Sequence, residues 1–300
     1  MLTRVLKFVL PSKWQRNLVY FRDLAERMDL IELVGDRAAQ GLATLALASK
    51  PTERPDGELE KWEFRLRSQG GEDGILHHIF EFVGVTNRTF VEFGIQAGRE
   101  CNAAHLALSE GWHGLFIEGD RRLAAWAQEY YERMLGTDAD RIKVGCAFLT
   151  VENVNSVLSE NGMTGPIDLL SIDLDGNDYW IWEAVAAVTP RVVVIEYNAV
   201  FGPERALTIP YDPRFRWSGS DNYFGASLAA LTKLGARKGY ALVGCGSNGV
   251  NAFFVQRGLA GGGLREVPVL DAFRVRAGLT RKRTLDQQFD LVRSLALVNV

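Results

Sequence analysis

The first stretch of the chain is patterned for helix. Leu18, Phe21, Leu24, Met28 and Ile31 recur at helical spacing, and Asp36 to Ala48 continues the trend. Pro51, Pro55 and Gly57 break it, so a linker is expected near 50–58. From about residue 60 the pattern becomes short β-branched runs alternating with helical stretches. The candidate strands are Thr89–Phe93, Leu115–Glu118, Ile142–Cys146, Leu169–Asp173, Arg191–Tyr197, Tyr240–Gly244 and Asn251–Gln256.

Segments long enough for crossover helices separate the first five, which predicts a parallel sheet. Only the short Cys245–Val250 connection, with Gly246, Asn248 and Gly249, joins the last two, so they are expected to form an antiparallel hairpin. The reading is therefore an α/β chain with a doubly wound, mostly parallel, seven-stranded Rossmann-like sheet. A helical extension over 1–58 precedes the sheet domain at 59–258, and a charged tail over 259–300 carries one helix, Thr284–Leu295.

Composition narrows this picture modestly. The net charge of −3 shows no basic excess of the kind a nucleic-acid binder carries on one face. Cys101, Cys146 and Cys245 are odd in number and widely spaced, which fits neither a disulfide framework nor a zinc site and suits a reducing cytoplasm. No apolar run reaches the roughly 18 residues of a membrane span. The opening MLTRVLKFVLPSKW has no small-residue cleavage site, so a plain N-terminal helix is expected rather than a signal peptide. A homodimer is expected.

Chemistry concentrates at the strand ends. Thr89–Gly98 is a strand running into a glycine-bearing turn and then a helix, Glu100–Glu110. Gly94 and Gly98 let backbone approach a ligand, and the turn offers N–H groups to a carboxylate. Glu92 is placed to meet a cationic amino group. About 20 residues on, the next strand ends in Glu118, where a carboxylate can bind both ribose hydroxyls, with Asp120 as the competing residue. Ala147 and Phe148, after the third strand, suit the flanks of an adenine. In this order the three features fit S-adenosylmethionine (SAM).

The densest motif is Ile167–Trp182, whose strand ends at Asp173 with Asp175, Asn177 and Asp178 crowding the turn. Asn177 or Asp178 is expected to cap the following helix, leaving Asp173 and Asp175 functional. The next strand ends in Glu196 and Asn198. Asp173, Asp175 and Asn198 are the candidate catalytic residues. Asp173, Asp175 and Glu196 are candidate ligands for a hard cation such as Mg²⁺. His77, His78, His105 and His113 fall on helices or a strand's N-terminal end and read as structural. The long segment between Phe201 and Phe224 is rich in Pro, Arg and aromatics; Tyr211, Arg216, Trp217 and Tyr223 are expected to wall an acceptor site.

The run Ser68-Gln-Gly-Gly-Glu-Asp-Gly74, with VEFGIQAGREC, GLFIEGD, LLSIDLDGNDYWIW, VVVIEYNA and Asp221–Leu228, resembles the FkbM-type branch of class I SAM-dependent methyltransferases over roughly residues 66–257. The resemblance implies O-methylation of a hydroxyl on a sugar or natural-product-like small molecule. By position it places Gln69 and Glu72 beside the methionine end of the cofactor. The turn departs from the commonest pattern in having one spaced glycine pair. Two other readings remain: a metal-dependent glycosyltransferase using Asp173-Leu-Asp175, and a non-catalytic SAM-binding scaffold.

Overall fold

The computed structural model describes residues 58–261, 263–276 and 282–300, with isolated helical positions at Ile31, Val34, Gly35, Ala38 and Gly41. The chain divides into two units, Met1–Pro51 and Thr52–Val300. The rest of the expected N-terminal helical extension lies outside the described residues.

The second unit is built on strands β1 (Thr89–Phe93), β2 (His113–Glu118), β3 (Ile142–Cys146), β4 (Gly165–Ile172), β5 (Val188–Glu196), β7 (Tyr240–Cys245) and β8 (Asn251–Gln256). Their order is β3-β2-β1-β4-β5-β8-β7. All pair in parallel except β8, which lies antiparallel to both β5 and β7. This is the expected plan of five parallel strands closed by a hairpin. A short β6 (Leu207–Thr208) pairs antiparallel with β9 (Val298–Asn299), so the tail returns to the long 201–224 segment.

Both sheet faces are covered, which is why the strands read as near-continuous apolar runs. One face packs Val91, Phe93, Leu170 and Val193 against α4 (Val154–Glu160), α5 (Asp178–Ala184) and α6 (Leu228–Arg237). The other packs Phe90, Phe116 and Val192 against α1 (Glu72–Val83), α2 (Ala104–Ser109) and α3 (Arg121–Leu135). In α1, Ile75, Leu76, Ile79 and Val83 are buried at helical spacing, and Gly84 ends the helix at φ 67°.

Two expected helices are shorter than their patterns. Over 100–110 the regular helix α2 begins at Ala104, because the buried Glu92 carboxylate accepts the N–H groups of Asn102 and Ala103 at 2.9 and 2.8 Å. The tail helix is preceded by α7 (Val269–Ala272) and runs only over α8 (Leu285–Phe289), opened by a capping box between Thr284 and Gln287. Past Phe289 the chain continues in tighter turns, Leu291 to Gln288 and Val292 to Phe289, which seat Val292 against Val200 and Phe201.

Candidate active site

The parallel strands end together, and a cleft of about 510 Å³ opens at their C-terminal edge. Its size lies in the ordinary range for small-molecule sites. Its lining joins four strand ends: Gly94 and Gln96 after β1, Glu118 on β2, Ala147, Phe148 and Leu149 after β3, and Asp173 and Asp175 after β4. Glu196 of β5 and Gln69 complete the inner wall.

The first turn is tightly set. Gly94 has φ +78°, and a Cβ there would lie 1.5 Å from the Asp173 carbonyl oxygen. Only glycine lets β1 and β4 leave the sheet this close together. Gln96 is left-handed at φ 51°, a conformation that costs a non-glycine residue free energy and is concentrated at functional sites. Its N–H donates to Glu118 Oε2 at 2.7 Å, while Asp120 N–H donates to Glu118 Oε1 at 2.8 Å. Two backbone donors thus fix the carboxylate, and each oxygen keeps a lone pair for a ligand hydroxyl. Asp120 is committed elsewhere: its Oδ1 caps α3 through Arg122 and Leu123 N–H.

The Ser68–Gly74 run is a folding device around Gln69. Asp73 Oδ2 accepts from the backbone of Leu66, Arg67 and Ser68 and from Ser68 Oγ, each at 2.8 Å. Glu72 takes Gly70 N–H and Asn251 Nδ2. The loop held in this way presents Gln69 to the cleft, while Glu72 is buried in its support.

After β4 the chain turns sharply. Asp178 accepts Leu174 N–H at 2.7 Å and Gly176 N–H at 2.9 Å, so it ties the turn rather than capping α5 by the usual geometry. Asn177 stands at the cap position, but its Nδ2 donates to Asp212 O. Asp175 is left-handed at φ 52°. One oxygen each of Asp173, Asp175 and Glu196 lies within 4.8 Å of the others. At an effective dielectric of about 20, each ionised pair at such a spacing repels by about 3–4 kcal/mol. Burial, then the Asp178 and Asp175 carboxylates, push Asp173 well above the usual carboxylate range. Burial and Asp173 do the same to Glu196, and burial raises Asp175. Burial also lifts Asp178, to about 6.

Besides Glu72, three expected site residues do not line the cleft. Glu92 is buried behind it as the anchor of α2, with Ser171 Oγ as a further donor. Gly98, at φ +76°, packs against α3: a Cβ there would meet Ala127 and Tyr131 at 2.9 and 3.0 Å. Asn198 caps the turn Ala199–Phe201 and donates to Asn222 O and Phe224 O, which holds the long segment down. Of the expected acceptor wall, Arg216 and Trp217 line the cleft, with Phe215. Arg216 stacks on the Phe148 ring at 3.2 Å. Tyr211 instead donates to Glu152, and Tyr223 to Ala296 O.

Gln96 and Arg276 were not legible as site residues. Tyr197 Oη donates to Arg274 O at 2.6 Å and accepts its N–H at 3.1 Å, which brings the stretch before Arg276 to the end of β5. No motif marks that link.

No family model matches the chain, and no curated protein matches it. Among solved structures, an O-methyltransferase from Bacillus cereus in complex with SAH is 18% identical, with a match covering 72% of this chain and 89% of that one, at a TM-score of 0.41. The N-terminal domain of EvdMO1, in the presence of SAH and D-fucose, is 15% identical over 66% of this chain and 91% of its own, at 0.42. Magnesium protoporphyrin IX methyltransferase from Synechocystis PCC 6803, with bound SAM, is 11% identical over 62% and 77%, at 0.42. These likenesses are loose. The strand order itself is the Rossmann-like plan of class I methyltransferases.

Proposed function

We propose that the chain is a SAM-dependent methyltransferase acting on a hydroxyl oxygen of a sugar or natural-product-like small molecule. The observation that carries this reading is Glu118, held by two backbone donors in the same cleft as the Gly94 turn and the Asp173–Asp175 pair.

In this reading Glu118 receives the ribose hydroxyls, and Ala147, Phe148 and Leu149 flank the adenine. Gln69, the Gly94–Gln96 turn and Asp173 hold the methionine end. Bound there, SAM supplies a sulfonium methyl that passes to the acceptor oxygen and leaves S-adenosylhomocysteine. The Asp173–Asp175 pair takes the hydroxyl proton; burial raises both carboxyls, which makes their ionised forms stronger bases. Arg216 and Trp217 orient the acceptor, and alignment of this kind can supply about 7–11 kcal/mol of a barrier. The motifs quoted above resemble those of the FkbM-type branch, which supports the reading. Free Cys101, Cys146 and Cys245 suit a reducing compartment such as the cytoplasm. Among the described residues no helix is long and apolar enough to cross a membrane.

The test is turnover. SAM is incubated with the protein and a panel of sugars and polyols, and release of S-adenosylhomocysteine is read together with the gain of one methylene on the acceptor. Turnover reduced by about a hundredfold or more in Asp175→Asn supports the reading. Tight SAM binding with no turnover on any hydroxylated acceptor would favour the scaffold reading.

A further inference from the structure

Among the described residues two cations line the cleft, Arg216 on the 201–224 segment and Arg276 on the tail. Both side chains are exposed, so they stand at its mouth rather than on its floor. Their seats are built. The Phe215 ring fills the space that a Cβ on Gly176 would take, with Cδ1 at 2.4 Å, and Phe215 N–H and Asn177 Nδ2 both donate to Asp212 O. This presses the segment onto the turn after β4 and sets the Arg216 guanidinium over the Phe148 ring, 3.2 Å from its centre. On the tail, Arg274 is bonded to Glu60 and Tyr197. A Cβ on Gly249 would meet Arg276 N at 2.5 Å, so glycine lets that backbone rest on the turn between β7 and β8.

The donors of both arginines are left over. Arg216 makes one hydrogen bond, to the adjacent Phe215 O at 3.1 Å, and has no carboxylate partner among the described residues. Stacking occupies the face of a guanidinium and leaves its N–H edge open to an oxyanion. Arg276 Nη1 is 3.8 Å from Glu196 Oε1, beyond hydrogen-bond range, and Glu196 is hydrogen-bonded to Asp173 instead. Away from the cleft, arginines meet acids: Arg237 meets Glu183, Arg257 meets Glu266 and Arg274 meets Glu60.

We propose that Arg216 and Arg276 select an anionic acceptor, a hydroxylated small molecule that carries a carboxylate or phosphate group. The guanidiniums take the oxyanion at the mouth, and the hydroxyl points inward to Asp173 and Asp175. The identity of that hydroxyl as a methyl acceptor rests on the methyltransferase reading; the anion contact needs no cofactor. In that reading Gln69 and the Gly94–Gln96 turn hold the methionine end of SAM, which leaves both arginines to the acceptor.

The experiment is calorimetry of the full chain, without cofactor, against three probes that share one ring: D-glucose, D-glucuronate and D-glucose 6-phosphate. Saturable binding of at least one charged probe is expected, with glucose at least about tenfold weaker, and the probe that binds tells a carboxylate site from a phosphate site. Arg216→Gln and Arg276→Gln should each weaken that probe about tenfold or more and leave SAM affinity unchanged. Arg214→Gln removes the same charge from an exposed side chain outside the cleft and should keep the wild-type affinity. All three positions are exposed, and thermal melting checks that each variant is folded. No saturable binding of either charged probe up to about 10 mM, or glucose bound as tightly as they are, overturns the proposal. So does an equal loss in Arg214→Gln, or a loss of SAM affinity in Arg216→Gln or Arg276→Gln, which would assign the arginines to the cofactor's carboxylate. Wild-type SAM affinity is measured beside these, so failure of the anion site and failure of the methyltransferase reading are distinct results.

Discussion

Glu92 Oε1 accepts the N–H of Asn102 at 2.9 Å, fastening the middle of β1 to the start of α2. The carboxyl is fully buried, and burial lifts it from 4.5 to about 7, against the pull of its backbone donors. A raised folded-state value means that the folded protein holds the proton more tightly than the unfolded chain. Its stabilisation is therefore complete below about 4.5 and is lost as pH rises through about 7, a change of about 3 kcal/mol. Urea unfolding from about pH 5 to pH 8 should show stability falling over that window, and Glu92→Gln should flatten the slope whatever it does to the level. Parallel pH profiles for the two proteins would refute the assignment.

Gly94→Ala places a methyl group 1.5 Å from Asp173 O at φ +78°. Left-handed backbone and overpacking together should cost about 3 kcal/mol or more, read as a lower urea midpoint. A variant of wild-type stability would show that the two strand ends are not held at this distance.

Asp168 sits on β4, about 16 Å along the strand from Asp173. It is fully buried and accepts Thr86 N–H, Thr86 Oγ1–H, Asn87 N–H and Arg88 N–H at 2.7–3.0 Å. Asp168→Ala should cost about 3–5 kcal/mol of stability. The SAM affinity of the folded fraction should be unchanged. An affinity loss at full stability would contradict this division of labour along one strand.

The sheet was legible because every strand but the edge strand β3 is a mainly apolar, largely buried run, and the Cys245–Val250 connection is too short for a crossover. The strand-end carboxylates Glu118, Asp173, Asp175 and Glu196 were legible for the same reason, since strand ends in such a sheet point to one edge. Side-chain direction was not. Glu92 lies within β1 and bonds behind the cleft, and Gly98 serves helix packing rather than a ligand. Asn198 is spent on capping, a role that its residue type allows as readily as catalysis. Arg276 reaches the cleft through the Tyr197–Arg274 hydrogen bonds, a long-range link with no local periodicity.

The measurement closest to the central claim is calorimetric titration of the chain with SAM and S-adenosylhomocysteine, beside a nucleotide-sugar and beside Glu118→Ala. Micromolar binding of both adenosyl ligands, weakened at least about tenfold in the variant, is the predicted result, since each ribose hydroxyl bond to a charged group is worth about 1.5–3 kcal/mol. Binding of the nucleotide-sugar, with neither adenosyl ligand bound, would contradict the account.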